Sequence, residues 1–161
     1  MARQLLKHID RLATMEDVLD DAETVCGREL EDAAIIIDEH VIVSVGPTSE
    51  LADDTENCDE VHDLSGHIVL PGLINTHHHL FQNFTRVVPA AQDHSLFGWL
   101  QTLYPIWLNL QPKDFYVAAA TGLAELILSG CTTSSDHQYL FPNGSRLEDS
   151  IEAAADVGIR F

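Results

Sequence analysis

Apolar positions change their period partway along the chain. Up to about residue 70 they fall in short runs divided by polar stretches. Leu5 to Met15 mixes the two, and Ala33 to Val45 (AAIIIDEHVIVSV) reads as two strands folded about Asp38-Glu39-His40. A turn this tight favours Gly or Asn where φ is positive. Neither is present, which leaves the turn type open. Glu16 to Glu31 is acidic and aperiodic and reads as loop-bearing, and Leu51 to Asp59 (LADDTENCD) reads as a polar loop. Val61 to Leu64 opens another strand, which Ser65-Gly66 turns into the next segment. There Ile68-Val69-Leu70 is a short apolar run of the kind a sheet buries, Pro71-Gly72 bends it, and Leu73-Ile74 carries it on to Asn75.

Beyond Gly72 the spacing becomes helical. Ser95 can cap a short helix through Trp99 and Leu103, which Pro105 is expected to interrupt. Pro112 suits the first turn of the next helix, with Asp114 at its positive end. That helix is expected to reach Ser129, with Val117, Ala120, Ala124, Ile127 and Leu128 on or near its apolar face and Gly130 at its C-terminal cap. Cys131 to Ser135 reads as a strand ending at Asp136-His137. Ser145-Arg146-Leu147-Glu148 matches a capping box, opening a helix with Leu147, Ile151 and Ala154 on one side and Gly158 as its stop. Strand alternating with helix is the rhythm of parallel βα units, so the fold class is α/β.

Charge excludes several partners. Twenty-six acidic residues against eight basic ones give a formal charge of -18, which repels nucleic-acid phosphates and anionic lipid. Lysine occurs only at Lys7 and Lys113, a balance that suits solubility at high salt. Cys26, Cys58 and Cys131 are odd in number and lack C-x-x-C spacing, which argues against a disulfide framework or a thiolate zinc site. No leader-like segment opens the chain and no apolar run reaches about 18 residues, so the expected compartment is a reducing cytoplasm.

The chemistry concentrates at His77, His78 and His79. Side chains alternate along a strand, which sends His77 and His79 one way and His78 the other. Two imidazoles on one face can grip a single divalent metal. The competing reading is a solvated histidine cluster or a tag remnant, but this cluster is internal and abuts apolar strand residues. His78 reads as packing and Arg86 as structural. Two readings stay open for His137, a contact near the substrate or a hydrogen-bonded wall residue. Trp99, Tyr104 and Trp107 either line a pocket for a planar heterocycle or belong to the core.

Pro71 to His79 (PGLINTHHH) resembles the segment closing the first barrel strand in the amidohydrolase superfamily. Leu80-Phe81-Gln82, Ser95 to Trp107 and Leu126 to Pro142 are similar to the branch that deaminates guanine and 8-oxoguanine or hydrolyses triazines. The resemblance implies a metal-dependent (β/α)8 TIM barrel, of which residues 71–161 hold the first βα units. Residues 1–70 would be the N-terminal strands of a composite β-sandwich. Such a barrel typically needs about 250 residues, so 161 residues imply an N-terminal fragment, inactive alone.

The implied function is hydrolytic deamination of a purine-like heterocycle of the 8-oxoguanine type. A triazine-type aminohydrolase or chlorohydrolase is the alternative within the family, and a noncatalytic assembly protein the alternative outside enzymes. His77 and His79 would hold one zinc ion, or iron as in some relatives. The remaining ligands and the proton-transfer residues would lie beyond Phe161. Gln82 resembles the glutamine that binds the purine amide edge, its other reading being a surface glutamine. The implied partners are a small heterocyclic substrate and, for the full-length enzyme, further copies of itself.

Overall fold

In the computed structural model, which describes residues 2–15, 17–20 and 23–161, with backbone alone for 17–20 and 23–26, the chain is mixed α/β. It divides into two units, Met1–Pro71 and Gly72–Phe161.

The first unit is built on β1 (Arg3–Ala13), whose antiparallel neighbour β4 (Glu29–Asp38) pairs in turn with β5 (Val41–Pro47). On its other side β1 pairs in parallel with β6 (Glu60–Asp63) and then β7 (Ile68–Val69). The continuous apolar run in β4 is explained by burial on both faces. Ala33 and Ile35 pack with Ile9 and Leu12 on one side, and Ala34 and Ile36 with Leu5 on the other. Leu5 and Ile9 share a parity yet join opposite faces, because the β1–β4 register slips between Leu6 and Ile9. His8 and Asp32 take positive φ at this bulge. At the β4–β5 turn the positive φ falls on Glu39.

Within Glu16 to Glu31, expected to hold a loop, β2 (Asp17–Asp20) and β3 (Glu23–Cys26) form an antiparallel ribbon. Two expectations for this unit fail. Leu51 to Asp59 is structured. A helical turn α1 (Thr48–Leu51) runs into a 3-10 helix (Ala52–Asn57), where Asp54 receives the Arg3 guanidinium at 2.7 Å and the Asn57 amide at 2.7 Å. Ile68-Val69-Leu70 is not a buried run either. Ile68 is 71% exposed and Leu70 is exposed, because β7 is an edge strand and only Val69 turns toward the Ile9 cluster.

The second unit carries a parallel strand pair, β8 (Leu73–Asn75) and β9 (Cys131–Ser134). A parallel bridge between Thr133 and Arg160 begins a third strand position. The unit also holds three helices, α2 (Leu96–Trp107), α3 (Pro112–Leu128) and α4 (Leu147–Val157). Pro105 does not interrupt α2, which continues two residues to Trp107.

The buried face of α3 is not the expected one. Phe115, Ala118, Ala119, Gly122 and Leu123 are buried, whereas Leu128 is 88% exposed and Val117, Ala124 and Ile127 face outward. Size selects this stripe: Ala153 and Ala154 of α4 and Leu80 pack against it closely. A Cβ on Gly122 would lie 2.3 Å from Asn83 Nδ2. In α4 the cap is Arg146 rather than Ser145, its backbone N–H donating to Asp149 at 2.7 Å, and Ser150, Ala153 and Ala154 are buried while Leu147 and Ile151 are exposed. Gly130 and Gly158 end α3 and α4 at φ +88° and +82°, as expected. Among the described residues no helix is long and apolar enough to cross a membrane.

Candidate metal centre

Parallel pairing makes the C-terminal ends of β8 and β9 emerge together. Leu73 N–H donates to the Gly130 carbonyl at 3.0 Å, and beyond the strands Ser135 N–H donates to the Asn75 carbonyl at 3.0 Å. The approach is close at Gly72, where a Cβ would meet Thr132 Cγ2 and Oγ1 at 2.2 Å. This explains the glycine after Pro71: a side chain would force the two strands apart.

Strand β8 ends at Asn75, so pleating does not separate the histidines. Hydrogen bonds do. The Asn75 carboxamide accepts from His77 N–H at 3.0 Å and lies 3.2 Å from His78 Nδ1, to which its NH2 donates. The 136–137 segment then clasps the turn. His137 N–H donates to the His78 carbonyl at 2.7 Å, and the His137 carbonyl lies 2.7 Å from His79 Nδ1. A carbonyl only accepts, so His79 Nδ1 carries the proton and Nε2 keeps its lone pair.

The outcome is three converging imidazoles. The His77 and His79 ring centroids lie 4.9 Å apart, His77 and His137 4.2 Å, and His79 and His137 5.8 Å. One donor atom from each lies within 4.8 Å of the others. His77 and His137 are exposed and His79 is half-buried, so the cluster is open to solutes. Neutral imidazoles in this number suit zinc or iron. Next to His137, Asp136 Oδ1 accepts from Leu80 N–H at 3.0 Å, while its buried Oδ2 has no partner among the described residues. Burial pushes the Asp136 carboxyl above the usual range, and the Leu80 N–H and neighbouring histidines oppose that.

An open cavity of about 380 Å³ borders the cluster, lined by His77, His78, His79, Gln82, Arg86 and Trp99 among others. Gln82 Nε2 donates to the Tyr139 hydroxyl at 2.9 Å, leaving its amide oxygen and second N–H unused among the described residues. Tyr139 packs edge-on to His79 at 5.2 Å, and burial raises its phenol pKa. Of the three candidate aromatics only Trp99 reaches this cavity. Trp107 is core, its fully buried indole N–H donating to Thr85 Oγ1 at 3.0 Å, and Tyr104 packs on it at 5.5 Å. Arg86 is held by both oxygens of Glu125 at 2.6 and 2.9 Å and by Asn83. Tyr139 and the closeness of His137 to the H-x-H pair were missed in the sequence. The available signal was that both follow the second strand of a parallel pair.

Residues 68–161 match the amidohydrolase family. The chain is 42% identical over 134 residues to an 8-oxoguanine deaminase of Pseudomonas aeruginosa, covering 83% of this chain and 29% of the relative. It is 34% identical over 147 residues to a hydroxydechloroatrazine ethylaminohydrolase of a Pseudomonas species, covering 85% and 31%. The chain thus spans under a third of the length of these relatives. Among solved structures, atrazine chlorohydrolase from Arthrobacter aurescens complexed with zinc superposes with a TM-score of 0.79 at 34% identity, covering 98% of this chain and 34% of that one. Guanine deaminase from E. coli shares the fold, at a TM-score of 0.73 and 19% identity, covering 98% and 36%.

Proposed function

This chain belongs to the amidohydrolase family, and we infer that it forms the N-terminal portion of a hydrolytic deaminase acting on a purine-like heterocycle of the 8-oxoguanine type. The observation that carries the reading is the pairing of His77 with a His79 whose free nitrogen is set by the His137 carbonyl, beside a cavity that Gln82 borders. The 42% identity to an 8-oxoguanine deaminase supports the purine class. On this reading β8, β9 and the Arg160 bridge are the first strands of a TIM barrel, and the sheet of the first unit is part of a β-sandwich. The other ligands come from later strands. The free thiols Cys58 and Cys131 accord with a reducing cytoplasm.

His77 and His79 would hold one zinc ion, or iron. Bound there, the metal would supply Lewis acidity and lower the pKa of a water toward neutrality. The chain's own residues orient the rest. The His137 carbonyl holds the His79 ring, so the imidazole need not reorganise to ligate. Tyr139 fixes the Gln82 amide, whose free oxygen and N–H match the donor and acceptor of a lactam edge. Trp99 offers a ring at the cavity wall for a planar substrate.

A triazine substrate is the second reading, favoured by the TM-score of 0.79 to atrazine chlorohydrolase. Product release by the complete polypeptide, ammonia from 8-oxoguanine and guanine against alkylamine or chloride from substituted triazines, separates the two. The expected result is the highest kcat/KM on 8-oxoguanine. Turnover of triazines with no purine turnover would overturn the assignment.

A further inference from the structure

We propose that Tyr139 is a positioning residue for substrate recognition: it holds the Gln82 carboxamide so that the site selects heterocycles in which the amino-bearing carbon adjoins a lactam N–H. This rests on the reading of Gln82 as the group that meets the lactam edge, and adds which residue keeps that group in place and which ring pattern it admits.

The Gln82 main chain is fixed without Tyr139. Its N–H donates to the His79 carbonyl at 3.0 Å, and its carbonyl accepts from Thr85 Oγ1 at 3.0 Å. Thr85 is buried and in turn receives the indole N–H of the fully buried Trp107. Only the side chain of Gln82 is left to choose a rotamer. Among the described residues its one hydrogen bond runs to the Tyr139 hydroxyl, 57 residues later, at 2.9 Å.

Tyr139 is itself seated on the core. Its ring stands edge-on to Phe81 at 5.3 Å, and Phe81 is 1% exposed and packs with Trp107 and Phe115. On its other side the same ring meets His79 at 5.2 Å. The phenol therefore spans from the histidine pair to the Gln82 amide. A glutamine left free loses rotamer entropy when it binds a ligand, and a partner that holds it beforehand removes that cost. Held through one N–H, the amide keeps its oxygen and its second N–H for the ligand.

The ring pattern follows from bond connectivity. In 8-oxoguanine and guanine the lactam nitrogen is bonded directly to the carbon that carries the amino group. A side chain that reads the lactam must then lie beside the groups that hold the metal, and Gln82 lines the same cavity as His77 and His79. Amino-substituted hydroxytriazines carry this pattern too, whereas chlorotriazines do not. Selection at Gln82 thus falls on the amino-lactam and not on the purine skeleton.

The test is a double-mutant cycle in the complete polypeptide with zinc bound, comparing wild type, Tyr139→Phe, Gln82→Ala and the double variant on 8-oxoguanine and guanine. Phenylalanine keeps the ring contacts with His79 and Phe81, and zinc content equal to wild type confirms the site. Tyr139→Phe should raise KM about 3- to 10-fold with kcat changed by less than about twofold, and should have no further effect in the Gln82→Ala background. The inhibition constant of hypoxanthine, which has the lactam and no amino group, should rise with KM; that of 2-aminopurine, which has the amino group and no lactam, should not. An unchanged KM, an equal loss in both backgrounds, or a parallel rise for both inhibitors would overturn the role of Tyr139. If wild type turns over neither purine, the purine reading fails separately, and the same cycle on an amino-hydroxytriazine decides the role of Tyr139 by the same criteria. Turnover confined to chlorotriazines would overturn both.

Discussion

Gly72→Ala should damage the histidine site although residue 72 lies outside it. The added Cβ would sit 2.2 Å from Thr132 Cγ2 and Oγ1 and 2.7 Å from Thr132 Cβ. Rotating Thr132 removes the first two clashes but not the third, because Cβ is fixed by the backbone. Reaching ordinary carbon contact at about 3.5–4.0 Å therefore requires β8 and β9 to part by about 1 Å. Overpacking of this kind costs about 1–3 kcal/mol. Stretching the Leu73–Gly130 hydrogen bond from 3.0 Å adds about 1 kcal/mol, for a total of about 2–4 kcal/mol. The same shift displaces His77 and His79 from His137 and should weaken zinc binding about 10- to 100-fold. Both tryptophans, Trp99 and Trp107, lie in the second unit, so fluorescence-detected urea unfolding reports its stability. Gly72→Ala/Thr132→Gly removes the obstructing atoms and should recover most of the loss relative to Thr132→Gly alone. An unchanged midpoint and zinc affinity for Gly72→Ala, or a double variant no better than additive, would refute the reasoning.

Trp107→Phe removes a fully buried indole and its bond to Thr85, and should cost about 2–4 kcal/mol in thermal unfolding; a change under about 0.5 kcal/mol would contradict it. The Arg86 guanidinium holds the Glu125 carboxyl below its usual range. A depressed folded pKa stabilises above the unfolded value of about 4.3 and is lost as pH falls through the folded one. Wild type and Arg86→Met should therefore converge in stability in acid, by a small amount since both partners are half-exposed; a gap independent of pH would count against the pair. Ile74 is 67% exposed, and Leu73, Phe97 and Leu128 are exposed in the same unit. The isolated chain should self-associate at micromolar concentration in light scattering, whereas a monomer with a sharp two-state melt would argue otherwise.

The sequence showed elements better than it showed faces. Strand β4, the β4–β5 turn, the start of α3 and both glycine caps were legible, since each rests on local chemistry. The apolar faces of α3 and α4 were not. Large aliphatics such as Ile127 and Leu128 drew the eye, but helix α4 and the turn after His79 demand small residues at Ala118, Ala119 and Gly122. The histidine turn is not ordered by the strand pleating that the sequence suggested: Asn75 and the His137 backbone separate His78 from its neighbours. His137 itself belongs to a cluster formed across 58 residues, and such a contact has no local pattern to read.

Zinc content per chain, measured by elemental analysis after dialysis, bears most directly on the role of the histidine pair. His77 and His79 converge while His78 is engaged by Asn75. The complete polypeptide should carry about one zinc per wild-type chain, keep it in His78→Ala, and lose it in both His77→Ala and His79→Ala. A His78→Ala protein that loses zinc while His79→Ala keeps it would contradict the site.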